Sequence, residues 1–200
     1  MTTGLRIKGL VSRHVGPVDL ELALGECLAL SGPSGAGKTL LLRAIADLDR
    51  HQGEIWLGDT LYSAMSAHEW RHKVGLLAAE SQWWGDTVGE HFDTVDESNL
   101  LALGFSPDVM HWQVANCSTG ERQRLALLRL LQNEPEVLLL DEPTASLDTE
   151  NVVRVEQLLE TLCKDRGLAL LWVSHDNAQL NRVAMRHLQL VEGRLMEVSR

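Results

Sequence analysis

The segment that most restricts this chain is Gly32-Pro33-Ser34-Gly35-Ala36-Gly37-Lys38-Thr39, which matches G-x-x-x-x-G-K-[ST]. It lies between Cys27–Ser31, an apolar run read as a strand, and Lys38–Leu48, rich in Leu and Ala and read as a helix. Small residues let backbone N–H groups close around phosphate oxygens, and the helix start adds the positive end of its dipole. In such a loop the lysine reaches the β- and γ-phosphates and the hydroxyl beside it ligates Mg²⁺. The plain alternative is a glycine-rich strand–helix turn; the flanking strand and helix favour a polyphosphate cradle.

A second cluster completes that chemistry. Val137-Leu138-Leu139-Leu140 runs directly into Asp141-Glu142. In α/β sheets ligands bind at the carboxyl ends of strands, so two acids there stand at the correct edge. Asp141 suits the metal shell, and Glu142 suits proton acceptance from an attacking water.

The rest of the chain is consistent with this core. Leu5–Gly9, Val18–Leu24, Glu54–Leu57 and Lys73–Ala78 read as strands, with a turn at Leu24-Gly25-Glu26. Gln82 to Pro135 reads as a mostly helical insertion. In it, Asp86 is expected to cap a short helix toward Phe92, Ser106-Pro107 starts another, and a third follows Ser118. Beyond it, Asp148 caps a long helix to about Lys164, Leu168–Val173 is a buried strand, Asp176 caps a short helix, and His187–Val191 pairs with Arg194–Val198. Apolar strands alternating with helices imply a parallel sheet covered on both faces.

Composition excludes other classes. A formal net charge of −10 over 200 residues argues against a duplex-binding protein, which would show a basic face. Cys27, Cys117 and Cys163 form neither a CxxC nor a zinc-like spacing, so reduced thiols are expected. Met1 to Gly9 lacks an apolar leader and no run of ~18 apolar residues occurs. Any membrane role is therefore expected to come through a partner.

Six motifs stand in one register. After the phosphate loop come Gln82 in Ala79-Glu80-Ser81-Gln82, Cys117-Ser118-Thr119-Gly120-Glu121-Arg122-Gln123-Arg124, Asp141-Glu142-Pro143-Thr144, Ala145-Ser146-Leu147-Asp148, and His175 in Val173-Ser174-His175-Asp176. In order and spacing the chain resembles ABC-transporter ATP-binding subunits over nearly its whole length. Gly85–Val88 and Leu171–Asp176 look most like the subgroup of iron exporters.

The resemblance implies a single domain, 1–200, with a P-loop NTPase core (ABC ATPase), an N-terminal antiparallel β subdomain and a helical subdomain inserted at 83–135. It implies ATP and Mg²⁺ as cofactors. Nucleotide would be held by Gly32, Pro33, Ser34, Gly35, Ala36, Gly37, Lys38, Thr39 and Leu40. His14 is the nearest planar candidate for adenine, because no Tyr or Phe lies between Met1 and Lys38. Thr39, Gln82 and Asp141 would serve the metal, and Lys38, Glu142 and His175 the chemistry. Ser118, Thr119, Gly120 and Glu121 would act in trans on a nucleotide held by a second, head-to-tail subunit of a homodimer, with Asp148 in the D-loop. Cys117, Thr119 and Glu121 depart from the family's signature, and a carboxylate at 121 suits a phosphate site only if it turns back to cap its own helix.

The resemblance further implies an integral membrane permease as partner, no nucleic acid, a cytoplasmic position on the inner face of the membrane, and a solute such as iron. Trp83 and Trp84 suit either the core of the insertion or the groove that receives the permease. Two other functions stay open: an ABC ATPase acting on DNA or the ribosome, and a nucleotide-dependent regulatory module without useful turnover.

Overall fold

The computed structural model describes residues 3–198. The chain first lays down strands β1 (Thr3–Ser12), β2 (Val15–Ala23) and β3 (Cys27–Ser31), then helix α1 (Lys38–Ile45) and strands β4 (Gln52–Leu57) and β5 (Thr60–Leu61). Helix α2 (Ala67–Lys73) leads into β6 (Val74–Leu77), and the stretch that follows holds helices α3 (Glu97–Ala102) and α4 (Thr119–Leu131) with three short 3₁₀ turns. The last part runs β7 (Val137–Asp141), α5 (Thr149–Arg166), β8 (Ala169–Val173), α6 (Asn177–Val183), β9 (Arg186–Val191) and β10 (Arg194–Glu197).

These strands form two sheets. One is antiparallel, ordered β2-β1-β4-β5; the other is ordered β10-β9-β3-β8-β7-β6. In the second, β9, β3, β8, β7 and β6 run parallel, and only β10 is antiparallel, through the Glu192-Gly193 turn. The expected α/β core with an N-terminal antiparallel sheet is therefore present.

The continuous apolarity of β3, β7 and β8 has a direct cause. Successive side chains point to opposite faces of a strand. Cys27, Ala29, Leu138, Leu140, Leu170 and Trp172 enter one core, with α4 and α5 residues such as Leu127 and Leu159. Leu28, Leu30, Val137, Leu139, Ala169, Leu171 and Val173 enter the other, with α1 and the antiparallel sheet. Both faces are covered, so no polar alternation is left to read. All three cysteines are buried free thiols, and burial pushes the Cys163 thiol up to about 11.

Three expected boundaries shift. The first helix stops at Ile45 rather than Leu48, because Asp47 takes a left-handed conformation (φ 56°) and Arg43 closes over the turn onto Asp49. Asp86 does not cap the next short turn. Thr87 does, because the Glu90 carboxylate reaches back to the N–H groups of Asp86 and Thr87, and the turn ends at His91. The turn starting at Pro107 is 3₁₀ and runs only to His111.

Leu139 is fully buried in the middle of β7, between β8 and β6. Leu139→Ala is expected to cost about 2–5 kcal/mol, read as a lower denaturant midpoint at unchanged m-value.

Candidate nucleotide site

The phosphate loop is built by three glycines in conformations that side chains resist. Gly35 and Gly37 have φ of 78° and 99°, in the left-handed region. A Cβ on Gly37 would stand 2.3 Å from Val15 Cγ2, and one on Gly32 2.4 Å from the Leu190 carbonyl oxygen. The loop is thus pressed between the β1–β2 turn and β9. Gly37 caps α1, whose first turn leaves the N–H groups of Lys38, Thr39 and Leu40 without partners inside the helix. Lys38 Nζ donates to the carbonyls of Gly32 (2.8 Å) and Pro33 (3.1 Å), holding its charge over the loop. Ser34 and Pro33 are exposed and Ala36 is half-buried.

Strand order brings the acids to this loop. β3, β8 and β7 are parallel neighbours, so the residues that follow their carboxyl ends share one edge. Thr39 Oγ1 donates to Asp141 Oδ2 at 2.7 Å. Asp141 is buried, 6% exposed. Glu142 has φ 51°, and its N–H donates to the Val173 carbonyl at 3.1 Å, so the turn itself aims the side chain. His175 Nδ1 stands 3.0 Å from Glu142 Oε2. A carboxylate only accepts, so this ring nitrogen is the donor and Nε2 is left to face outward.

The oxygen set of Thr39 and Asp141 fits Mg²⁺, a hard cation that takes one or two protein oxygens and completes its shell with phosphate and water. Among the described residues no group of three or more His, Cys, Asp or Glu is placed to hold a metal ion. Gln82 lies past β6 with an exposed side chain; its carbonyl accepts from Arg129 Nη1 at 3.0 Å.

His14 belongs to the tight β1–β2 turn, and its Nε2 lies 3.5 Å from the place a Cβ on Gly37 would take. The ring is exposed at the rim of the phosphate loop. Its backbone is supported by the β9–β10 turn: a Cβ on Gly193 would meet the His14 carbonyl at 2.4 Å.

The segment 118–121 sits elsewhere. Ser118 caps α4, and Glu121 turns back on it: Oε2 accepts from Ser118 N–H (2.7 Å) and from Ser118 Oγ (2.8 Å). Those bonds hold the Glu121 carboxyl below the ordinary range. Thr119 is exposed on the first turn. Gly120 meets the turn before α5, where an added Cβ would lie 3.0 Å from the Ser146 carbonyl. Asp148 caps α5 by accepting from Asn151 N–H at 2.9 Å. Among the described residues no hydrogen bond joins 118–121 to the phosphate loop of the same chain.

Two contacts were not read from the sequence. Arg129 stacks over Trp83 (4.6 Å) and Trp84 (4.9 Å) while bonding to the Gln82 carbonyl. Trp83 packs on the core, as one of the two expectations had it, whereas Trp84 is 74% exposed. Gln179, buried in α6, bonds to Thr144. A glutamine or arginine in an apolar helix offers no local signal of its partner.

A family model described as ABC transporter matches residues 15–145. Curated relatives include "Protein STAR1" of Oryza sativa subsp. japonica, 33% identical over 97% of this chain and 62% of the relative. "Methionine import ATP-binding protein MetN 1" of Pectobacterium atrosepticum is 32% identical over 95% of this chain and 61% of the relative. "Probable iron export ATP-binding protein FetA" of Escherichia coli K12 is 31% identical over 82% of this chain and 79% of the relative. The chain thus spans about three-fifths of the length of the first two. Among solved structures, a dimeric post-hydrolysis state of the ATP-binding cassette MJ0796 bound to ADP and Pi superposes with TM-score 0.82 at 22% identity, covering 98% of this chain and 99% of that one.

The Glu121 bond gives a pH signature. A carboxyl held low in the folded state stabilises above its unfolded pKa and loses that contribution as pH falls through the folded value. Glu121→Ala is expected to cost on the order of 0.5–1 kcal/mol at pH 7. Denaturant midpoints of wild type and variant should converge as pH is lowered below about 4.

Proposed function

Because the chain belongs to the ABC transporter family, we propose that it binds and hydrolyses ATP as the motor subunit of a membrane transporter. One arrangement carries this reading: the Thr39–Asp141 and Glu142–His175 pairs stand on adjoining strand ends beside the Lys38 loop. Phosphoryl transfer needs positioning and charge stabilisation more than covalent chemistry, and these residues supply both.

In this reading, backbone amides of Gly32 to Leu40 cradle the phosphates and Lys38 stabilises the charge that develops on the β- and γ-oxygens. Mg²⁺, held through Thr39, Asp141 and Gln82, would neutralise phosphate charge and fix the geometry of the leaving group. Glu142 orients a water through Oε1 and accepts its proton, while its Oε2 stays on the His175 ring. His175 keeps that carboxylate in line beside the γ-phosphate and the attacking water. His14 packs on the adenine.

A second copy would bring Ser118, Thr119 and Gly120 to the γ-phosphate, with Glu121 turned away by its cap and Asp148 at the dimer seam. The capping box engages the Ser118 hydroxyl and the Glu121 N–H, so the N–H groups of Thr119 and Gly120 at the helix start are what an anion brought from outside would meet first, and Ser118 would join once its hydroxyl turns from Glu121. Residues 83–135 would form the helical subdomain that meets an integral membrane permease, with Trp84 and Arg129 at the contact. No described helix is long and apolar enough to cross a membrane, so the permease would place this chain at the cytoplasmic face. A metal ion such as iron is the solute suggested by Gly85–Val88 and Leu171–Asp176. Acidity speaks against a role on nucleic acid.

Glu142→Gln is expected to lower turnover about 10²–10⁴-fold while sparing ATP affinity, measured by phosphate release and calorimetry. Near-normal turnover would remove Glu142 from the role. Lys38→Ala should weaken ATP binding itself; unchanged affinity would overturn the assignment of the loop.

A further inference from the structure

Behind the Glu142–His175 pair lies a second, buried bridge between the same two loops. Thr144, two residues beyond Glu142, is 8% exposed; Gln179, four beyond His175, is 2% exposed. Gln179 Nε2 donates to Thr144 Oγ1 at 2.9 Å, and Thr144 Oγ1 lies 3.1 Å from Gln179 Oε1. The amide's other N–H reaches Glu156 Oε1 on α5 at 2.8 Å. Both Glu156 oxygens also accept from Arg182 of α6, at 2.7 and 2.9 Å.

We propose that Gln179 is a positioning residue for hydrolysis: it sets the spacing of the Glu142 and His175 loops and ties both to α5. This rests on the ATPase reading above. The outer pair cannot hold itself. The His175 side chain is 77% exposed, and a pair so wet contributes little and fluctuates. The inner amide is buried with every hydrogen-bonding group engaged, the condition under which a polar network rigidifies its surroundings.

The connections to the outer pair are short and stiff. Glu142 reaches Thr144 through buried Pro143, whose φ is fixed by its ring. His175 reaches Gln179 through Asp176, which caps α6 by accepting from Ala178 and Gln179 N–H and whose own N–H donates to Ser174 Oγ. Glu156 then links the bridge to α5, whose start is Asp148 and the Ser146 turn against Gly120. A shift of α5 would therefore be felt at the Glu142–His175 contact.

The test is steady-state Mg-ATP hydrolysis by the full chain, with ATP affinity by calorimetry and melting curves as controls. Gln179→Ala and the same-shaped Thr144→Val are expected to lower kcat about 10-fold or more, leaving KM and ATP affinity within about 2-fold. Gln179→Glu should do the same by setting two carboxylates against each other at 156 and 179. The double variant Gln179→Glu/Glu156→Gln reverses donor and acceptor, keeps the net charge of the cluster, and should recover kcat to within about 3-fold of wild type.

A purely structural bridge would instead lower melting temperature and ATP affinity together. That result, wild-type kcat in Thr144→Val, or a folded double variant without recovery overturns the positioning role while leaving the ATPase reading standing. Absence of turnover in the wild-type chain overturns that reading, and this role with it.

Discussion

Everything at the candidate site depends on how β3, β7 and β8 are buried. Each is apolar on both faces and divides its side chains between two cores, so each is fixed in height and rotation by packing from above and below. Because the three are parallel neighbours, their carboxyl ends meet at one edge. The phosphate loop, Asp141-Glu142 and His175 are what the chain places immediately after those ends. A slip of one residue in any strand would exchange its two faces and carry its polar terminus away from the others.

Local polar bonds then refine what packing sets. Thr39 and Asp141 join α1 to β7, while Glu142 and His175 join the loops beyond β7 and β8. These bonds differ in strength of environment. Asp141 is sheltered and accepts from a hydroxyl, whereas the His175 ring is largely in water. The buried Thr144–Gln179–Glu156 bridge lies behind the weaker of the two, and this is why we assign it the task of keeping the outer pair in place. Exposed pairs such as Lys164–Glu160 on α5 carry no comparable role.

The site is electrostatically divided between what holds an anion and what repels one. Lys38 and the start of α1 attract phosphate, whereas Asp141 and Glu142 tolerate it only with a cation between, a condition the proposed Mg²⁺ meets. Glu121 illustrates the same rule at the start of α4. Its carboxylate would oppose a phosphate, but the N–H and hydroxyl of Ser118 both donate to it and hold it as the cap of its own helix.

The residues themselves determined much of this protein. The glycine loop, the acid pair after an apolar strand, and the caps at Ser118, Asp148 and Asp176 were legible because each is a local rule written in neighbouring residues. Where local rules competed, the chain alone did not say which won. Thr87 displaced Asp86 as a cap once Glu90 folded back, and Asp47 ended α1 a turn early. Only the tertiary structure decided which distant groups touch: His14 against Gly37, Gly120 against Ser146, Arg129 over two tryptophans, Gln179 on Thr144. Such meetings follow from strand order and the register of two cores, and those are properties of the packed whole that no short stretch of chain encodes.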